Sequence, residues 1–317
     1  MPRAEAPKYT AIKITCNLCH AKVSNVLYDL ASYTIMKCPR CGLVFISSIS
    51  QFTESELYAK YDEQGYWLEN PNTANYHVGY KEDYRVRMWR RCLKKLERYK
   101  TSKGRKLLDV GCATGVFLDI ARKGGWDASG VEISRYASGY VRDKFKLKCF
   151  TGTLEEAAFP GEMFDVITLW DVIEHLVSPR QTVAEAKRIL KLGGIILVFT
   201  PDRSSLIHLT CHILYKLNQK RVSPLIKRLY ASTEKAGHLY FFSRETLTHL
   251  LTNNKLKVVY VRSEAVRVER GVLSGKMERI GATMIDLLAK ALNRRYRMMV
   301  IARKPYQNEF QSGVPRG

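Results

Sequence analysis

No uninterrupted apolar run in this 317-residue chain approaches the length that crosses a bilayer. Residues 1–15 lack the apolar centre of a secretion signal, so a cytoplasmic address is expected. No glycine turn ends in Gly-Lys-Ser or Gly-Lys-Thr, which argues against nucleoside triphosphate binding through a phosphate loop. The eight cysteines do not suggest a disulfide framework, because four stand in two close pairs and the others are scattered. Acidic residues are scarce, 30 Asp and Glu against 52 Lys and Arg. What is present is 46% hydrophobic residues, enough length for one sizeable core, and room for a small extra module.

The net charge of +22 is unevenly spread. Residues 107–202 carry 11 basic and 13 acidic residues, whereas residues 203–304 carry 21 and 6, and residues 81–106 carry 12 and 3. The charge belongs to the flanks. Such flanks suit RNA, anionic lipid or a phosphate-bearing substrate, with a solvated basic surface as the plain alternative.

Near the amino terminus, Cys16-Asn-Leu-Cys19 and Cys38-Pro-Arg-Cys41 are two C-x2-C pairs separated by 18 residues. Four thiolates can hold zinc tetrahedrally, each pair supplying two ligands from a tight turn. Gly42 relieves crowding after the second pair, and Val23, Val26, Tyr28 and Ile35 suggest short strands between the pairs. A shell of four cysteines leaves no open position for water, so a structural Zn2+ is expected rather than a catalytic one.

The stretch Leu107-Leu-Asp109-Val-Gly111-Cys112-Ala113-Thr-Gly115 is an apolar run that ends in an acid and enters a glycine turn. A helical run follows from Val116. Gly111 and Gly115 let the backbone turn sharply and approach a ligand at the carboxyl edge of a parallel sheet. Asp109 would repel a pyrophosphate but can hold an amine. Glu132, 23 residues on, closes a second strand where a carboxylate can accept both ribose hydroxyls. An adenosine bearing an amino acid satisfies both positions; a nicotinamide-binding fold is the rival.

These residues, with Phe164-Asp-Val-Ile167, Asp171-Val-Ile-Glu174-His175 and Leu190-Lys-Leu-Gly-Gly194, resemble the class I S-adenosylmethionine-dependent methyltransferases over roughly residues 105–202. The Asp-x-x-Glu-His pattern is similar to the ubiquinone-biosynthesis O-methyltransferases, in which a metal is implicated. The resemblance implies an α/β fold with a Rossmann-like seven-stranded sheet, preceded here by the four-cysteine zinc ribbon. It implies S-adenosylmethionine as cofactor, held about Asp109, Gly111, Cys112, Ala113, Gly115, Glu132 and Trp170. Thr153 and Leu154 would lie near adenine, although many relatives have aspartate where Thr153 stands.

Asp171, Glu174 and His175 stand at i, i+3 and i+4, so a helix starting there would put them on one face. Three readings stay open. His175 can take a proton from an acceptor hydroxyl, oriented by Glu174 or Asp171. The trio can hold a divalent cation. Or the residues belong to the cofactor loop's architecture. Methyl transfer needs no covalent intermediate, so the lack of a nucleophilic triad is no obstacle.

The chain divides into a ribbon (1–48), a linker and docking helix (49–104), a catalytic domain (105–304) and a tail (305–317) expected to fray. The linker holds Tyr58, Tyr61, Tyr66, Trp67 and Tyr76, with a turn at Pro71 and Asn72; these aromatics could cover the active-site entrance or pack the ribbon. Glu82 to Tyr99 reads as a helix with an apolar stripe. Residues 203–236 form an insertion with an apolar face (Leu206, Ile207, Leu209, Ile213, Leu214, Leu217) and cations Lys216, Lys220, Arg221, Lys227 and Arg228. It suits a lid over the acceptor, or a helix lying at a membrane surface as a peripheral contact. His238 and Tyr240 stand where related enzymes line the acceptor pocket.

Charge and ribbon make RNA methylation the alternative function. Against it, the chain has no Asn-Pro-Pro-Tyr-type motif and no recognisable RNA-binding module. The expected acceptor is a small molecule, sugar or lipid-linked hydroxyl.

Overall fold

In this computed structural model the described residues are 14–30, 34–47, 58–69, 77, 79–218, 226, 229–230, 237–264 and 276–306. The Pro71–Asn72 turn, Tyr76, the cations Lys220, Arg221, Lys227 and Arg228, and residues 307–317 of the tail lie outside them.

The catalytic sheet, largely apolar at its centre, where both faces are buried, and mixed in polarity toward its edges, is built from seven strands. These are β6 (Lys106–Val110), β7 (Asp127–Glu132), β8 (Lys148–Thr151), β9 (Phe164–Trp170), β10 (Leu190–Pro201), β12 (Lys257–Glu264) and β13 (Arg297–Arg303). Their order is β12-β13-β10-β9-β6-β7-β8, a seven-stranded Rossmann-like sheet. Only β13 runs antiparallel to its neighbours. Chain order reverses at β6, and the carboxyl edge beside that switch point is where a doubly wound sheet binds its ligand.

Helices cover both faces. The docking helix α2 (Tyr84–Tyr99) is capped by Asp83, whose carboxylate accepts the Val86 amide at 2.9 Å. It buries Val86, Trp89, Leu93 and Leu96 against α3 (Val116–Lys123), which leaves the glycine turn through Gly115 at φ +83°. A methyl group on Gly111, at φ +70°, would come within 2.5 Å of Val172, so this position needs glycine twice over. Further along lie α4 (Arg135–Tyr140), α5 (Pro179–Ile189), α6 (Leu206–Leu217), α7 (Arg244–Asn253) and α8 (Lys276–Ala291).

The ribbon begins with a two-stranded hairpin, β1 (Ile14–Thr15) and β2 (Lys22–Val23). Its second sheet comprises β3 (Val26–Asp29), β4 (Thr34–Lys37) and β5 (Val44–Ile46). The fourth strand of that sheet, β11 (Tyr240–Phe241), comes from the catalytic domain. Tyr240 pairs with Phe45 and Phe241 with Val44, and the Ile46 amide donates to the Leu239 carbonyl at 3.1 Å. Tyr28 of the ribbon meets α6 as well, its hydroxyl 2.6 Å from His212 Nδ1 and its ring edge-on to Tyr215. One apolar core therefore runs from Cys16 and Val23 through Phe45 and Phe241 to Leu250.

A shared sheet should melt as one unit. Replacing the buried Phe45 with alanine is expected to cost about 3–5 kcal/mol. Calorimetry should show the whole transition moving down, with no separate early transition for the ribbon.

Candidate active site and metal centre

A cavity of about 510 Å3 opens at the carboxyl ends of β6, β7 and β9, and a smaller chamber of about 120 Å3 adjoins it along the glycine turn. Asp109, near the end of β6, is fully buried at the smaller chamber, where Thr168 Oγ1 donates to its carboxylate at 2.5 Å. Burial pushes its pKa up to about 8, the Thr168 hydrogen bond opposing and the Glu132 charge reinforcing the shift. A cation bound beside it would favour the charged form and draw that pKa back down.

Glu132 ends β7 and lines the larger cavity. Its two oxygens accept the amides of Ala113 (2.8 Å) and Ser134 (3.0 Å), each keeping a lone pair for a further donor. Burial raises its pKa, although those amides oppose the rise. Gly111, Ala113, Thr153 and Leu154 also line this cavity, and Cys112 and Gly115 line the smaller chamber. The Cys112 sulfur lies 3.5 Å from Cys149 Sγ. Trp170 borders both chambers, and its buried indole N–H has no hydrogen-bond partner among the described residues. Two desolvated carboxylates, an unpaired donor and a wall of Ile133 and Leu154 fit a ligand with an amino acid, a ribose and an adenine.

The roof comes from the linker. Tyr58, Tyr61, Tyr66 and Trp67 line the cavity from a 3-10 turn (Ala59–Asp62) and the short helix α1 (Gln64–Glu69). Trp67 Nε1 donates to the Tyr61 carbonyl (2.7 Å) and Ser134 Oγ (3.1 Å), and Asp62 accepts the Arg135 amide. The aromatic linker thus lies over the edge of the sheet, above Glu132.

The stretch after β9 departs from the sequence expectation. Asp171 adopts a left-handed backbone, φ +56°, and only Ile173–His175 coil, as a 3-10 turn. Extended backbone at Leu176 and the proline at 179 keep a helix from starting before α5. Asp171, Glu174 and His175 therefore do not share a helix face. The Asp171 carboxylate instead pairs with the Arg297 guanidinium, at the start of β13.

His238 takes the place expected of Asp171. Among the described residues, Glu174, His175 and His238 bring their donor atoms within 4.8 Å of one another. Glu174 is buried, one oxygen accepting Thr200 Oγ1 at 2.9 Å and the other lying 3.8 Å from His238 Nε2. Among the described residues that second oxygen has no hydrogen-bond partner, and burial pushes the Glu174 pKa up to about 7 against the pull of its own amide and Thr200. The His175 and His238 rings meet edge-on at 4.8 Å, and His175 Nδ1 lies 3.2 Å from the Gly237 carbonyl. His175 and Asp171 line the large cavity; Glu174 stands behind them.

Tyr240 does not line the cavity. Its side chain is buried at the ribbon interface, packed near Phe45, with the hydroxyl donating to the Val177 carbonyl at 3.0 Å. Alternation along β11 and the ribbon's claim on that strand turn it away. Two cations that border the site gave no sequence signal. Arg85 lines the smaller chamber from the crowded basic helix α2, and burial lowers the Arg297 pKa to about 10.

At the other end of the molecule, the four ribbon cysteines converge, with all sulfurs within 4.8 Å. Cys16 and Cys41 stand 3.6 Å apart, and Cys19 and Cys38 3.5 Å. A tetrahedral zinc with bonds of about 2.3 Å separates its sulfurs by about 3.8 Å, so the cluster fits that ion. Each pair is followed by a residue with left-handed backbone, His20 at φ +57° and Gly42 at φ +77°, making two matching turns. His20 is no ligand; it reaches out to the Arg180 guanidinium on α5.

The fold is that of the class I S-adenosylmethionine-dependent methyltransferases, and the groups at its carboxyl edge suit their cofactor. Residues 80–261 match the family described as a methyltransferase domain, more than half of the chain, and the chain belongs to that family. A ubiquinone biosynthesis O-methyltransferase of Methylococcus capsulatus is 32% identical over 108 residues, 32% of this chain and 45% of that protein. Another, from Azoarcus sp., is 27% identical over 191 residues, 55% of this chain and 79% of that one. A ubiquinone/menaquinone biosynthesis C-methyltransferase of Geobacter sulfurreducens is 33% identical over 157 residues, 46% and 59% of the two chains. This chain thus spans less than half the length of the first of these relatives. Among solved structures, the complex between the Haloferax volcanii Trm112 methyltransferase activator and the putative methyltransferase superposes with a TM-score of 0.50 at 15% identity. That match covers 69% of this chain and 91% of the other, and supports the fold alone.

The buried Asp109 has a measurable consequence. Its pKa is about 3.9 unfolded and about 8 folded, so the folded state holds the proton more tightly. Its stabilising contribution is complete below about pH 4 and lost as pH rises through about 8. Relative to Asp109→Asn, the cofactor-free protein should lose up to about 5 kcal/mol across that window in thermal unfolding.

Proposed function

We propose that the protein methylates a hydroxyl of a small polar, sugar-like or lipid-linked acceptor. Bound S-adenosylmethionine supplies a methyl group already activated by its sulfonium. Asp109 is the candidate partner for the cofactor's amine and Glu132 for its ribose hydroxyls, with Thr153 and Leu154 bordering the adenine. The Trp67 and Tyr66 roof excludes water from the reacting atoms.

The observation that carries the reading is the fixed orientation of His175. If Nδ1–H donates to the Gly237 carbonyl, the other ring nitrogen is left as the acceptor, and the ring borders the cavity. His175 would then take the proton of the acceptor hydroxyl, the methyl group coming from the bound cofactor, whose thioether would leave. Glu174 and His238 stand behind the ring and stabilise the imidazolium that results. His238 is a positioning residue in this scheme. The wall of the larger cavity argues for a small acceptor over a polyanion: among the described residues it carries Glu132, Glu155, Glu156 and Asp171, the last paired with Arg297 behind it, and is lined by no lysine or arginine.

A second reading rests on the unpaired oxygen of Glu174. With His175 and His238 it forms a donor set suited to a divalent cation that would orient the hydroxyl. Dialysis of His238→Ala and wild-type protein against a chelator, followed by magnesium or manganese, separates the two. Metal-restored turnover in the wild type alone supports the cation; turnover indifferent to added metal supports the base. In the ribbon, Cys16, Cys19, Cys38 and Cys41 are proposed to hold one structural zinc. Elemental analysis should then find about one zinc per chain, lost in Cys38→Ser together with a large drop in melting temperature.

Labelled S-adenosylmethionine and fractionated cell extract test the acceptor class. Label is expected in material resistant to nuclease and protease, and label in RNA would overturn the proposal. His175→Ala should reduce turnover by about 100- to 10,000-fold while leaving cofactor affinity unchanged. Turnover retained in that variant would remove His175 from the chemistry.

A further inference from the structure

Helix α6 is apolar on the side that faces water. Its buried side, His208 and Cys211, packs inward, with Tyr215 against the ribbon. On the opposite side Ile213 is 51% exposed and Leu217 78% exposed. Helix α8 lies next to α6, and the Leu206 amide at the head of α6 donates to the Arg294 carbonyl just beyond α8. Here too the outer side is apolar: Met284 is 66% exposed and Leu287 59%. A soluble surface rarely exposes so many large aliphatic side chains on two adjoining helices, and such patches mark interaction sites.

We infer that this two-helix face docks on the surface of an anionic lipid bilayer. Charge selects this occupant. Exposed Lys216, Lys290 and Arg294 flank the apolar face, and α6 contains no acid. The surrounding segment 203–304 holds 21 basic and 6 acidic residues, whereas segment 107–202, which contains most of the catalytic site, holds 11 and 13. The exposed side chains are aliphatic, without the aromatic anchors that dominate protein–protein hot spots, and acyl chains need no such anchors. Among the described residues no helix is long and apolar enough to cross a membrane, so the face lies in the interface. This docking is independent of the acceptor and of the role of His175.

Co-sedimentation of the full-length protein with phosphatidylglycerol-containing vesicles, with pure phosphatidylcholine vesicles as control, tests the proposal. Binding is expected to the anionic vesicles and to weaken as salt rises. The pair Ile213→Asp and Leu287→Asp should weaken it about 100-fold by removing two inserted side chains. Melting temperature and cofactor affinity of that variant should match the wild type. The milder Lys216→Gln with Lys290→Gln should lower affinity for anionic vesicles alone. Absence of wild-type binding to either vesicle, or equal binding by the aspartate variant, would overturn the inference. So would a wild-type dimer in sedimentation velocity that the aspartate pair converts to monomer, since the face would then belong to a second copy.

Discussion

Residue 239 sits between two backbone partners on which the arrangement of the molecule depends. Its amide donates to the Glu174 carbonyl at 2.8 Å, and its carbonyl accepts the Ile46 amide at 3.1 Å. On one side is the turn that carries His175; on the other is the strand that follows the ribbon's second cysteine pair. A buried amide or carbonyl left unpaired would cost about 1–3 kcal/mol, so neither contact is readily given up. His238, one residue earlier, is held where it can meet Glu174 only because this segment is pinned from both sides. The ribbon thus supports the catalytic site from behind, and a metal held by its cysteines would bear on the geometry around His175 without touching the reacting atoms.

The site stores unfavourable electrostatics. Asp109, Glu132 and Glu174 all lie in the interior, with pKa values raised by burial, and at Glu132 backbone amides oppose the rise. Folding without a ligand leaves these groups poorly solvated, and a ligand that brings donors or a cation relieves the strain. Part of the free energy lost in desolvating the carboxylates is thereby returned on binding. This gives selectivity against pyrophosphate-bearing nucleotides, because an anion beside Asp109 would add repulsion where an ammonium adds attraction.

The catalytic fold was legible in the sequence where structure follows from neighbours along the chain. The apolar run at 107–110, the glycine turn, the helical run from Val116 and the docking helix ending at Tyr99 all depend on local pattern, and each forms the expected element. The two cysteine pairs are similar, because a C-x2-C turn brings its own ligands together. Asp171 is different. Helical spacing to Glu174 and His175 predicted a shared face, but a left-handed residue and a downstream proline leave one 3-10 turn. Its partner Arg297 lies on the only antiparallel strand of the large sheet. That reversal brings the first residue of β13 to the carboxyl edge of β10, where Arg297 pairs in register with Pro201. No periodicity in the sequence shows a contact made by strand direction. Tyr240 was placed by analogy and turned away by the ribbon, whose edge strand fixes the pleat of β11.

Charge and function separate along the chain, with Arg85 and Arg297 the cations that reach the border of the site among the described residues. The cavity wall is acidic and aromatic, while many of the basic residues follow in the segment beyond it. A basic surface outside an acidic pocket cannot serve to hold an anionic group at the reacting centre, since the local carboxylates would oppose it at short range. Its attraction acts instead over about a Debye length, on an extended negative surface that the protein approaches as a whole. Exposed Lys216, Lys290 and Arg294 stand on or just beyond α6 and α8, so electrostatic approach and hydrophobic insertion would act at the same two helices.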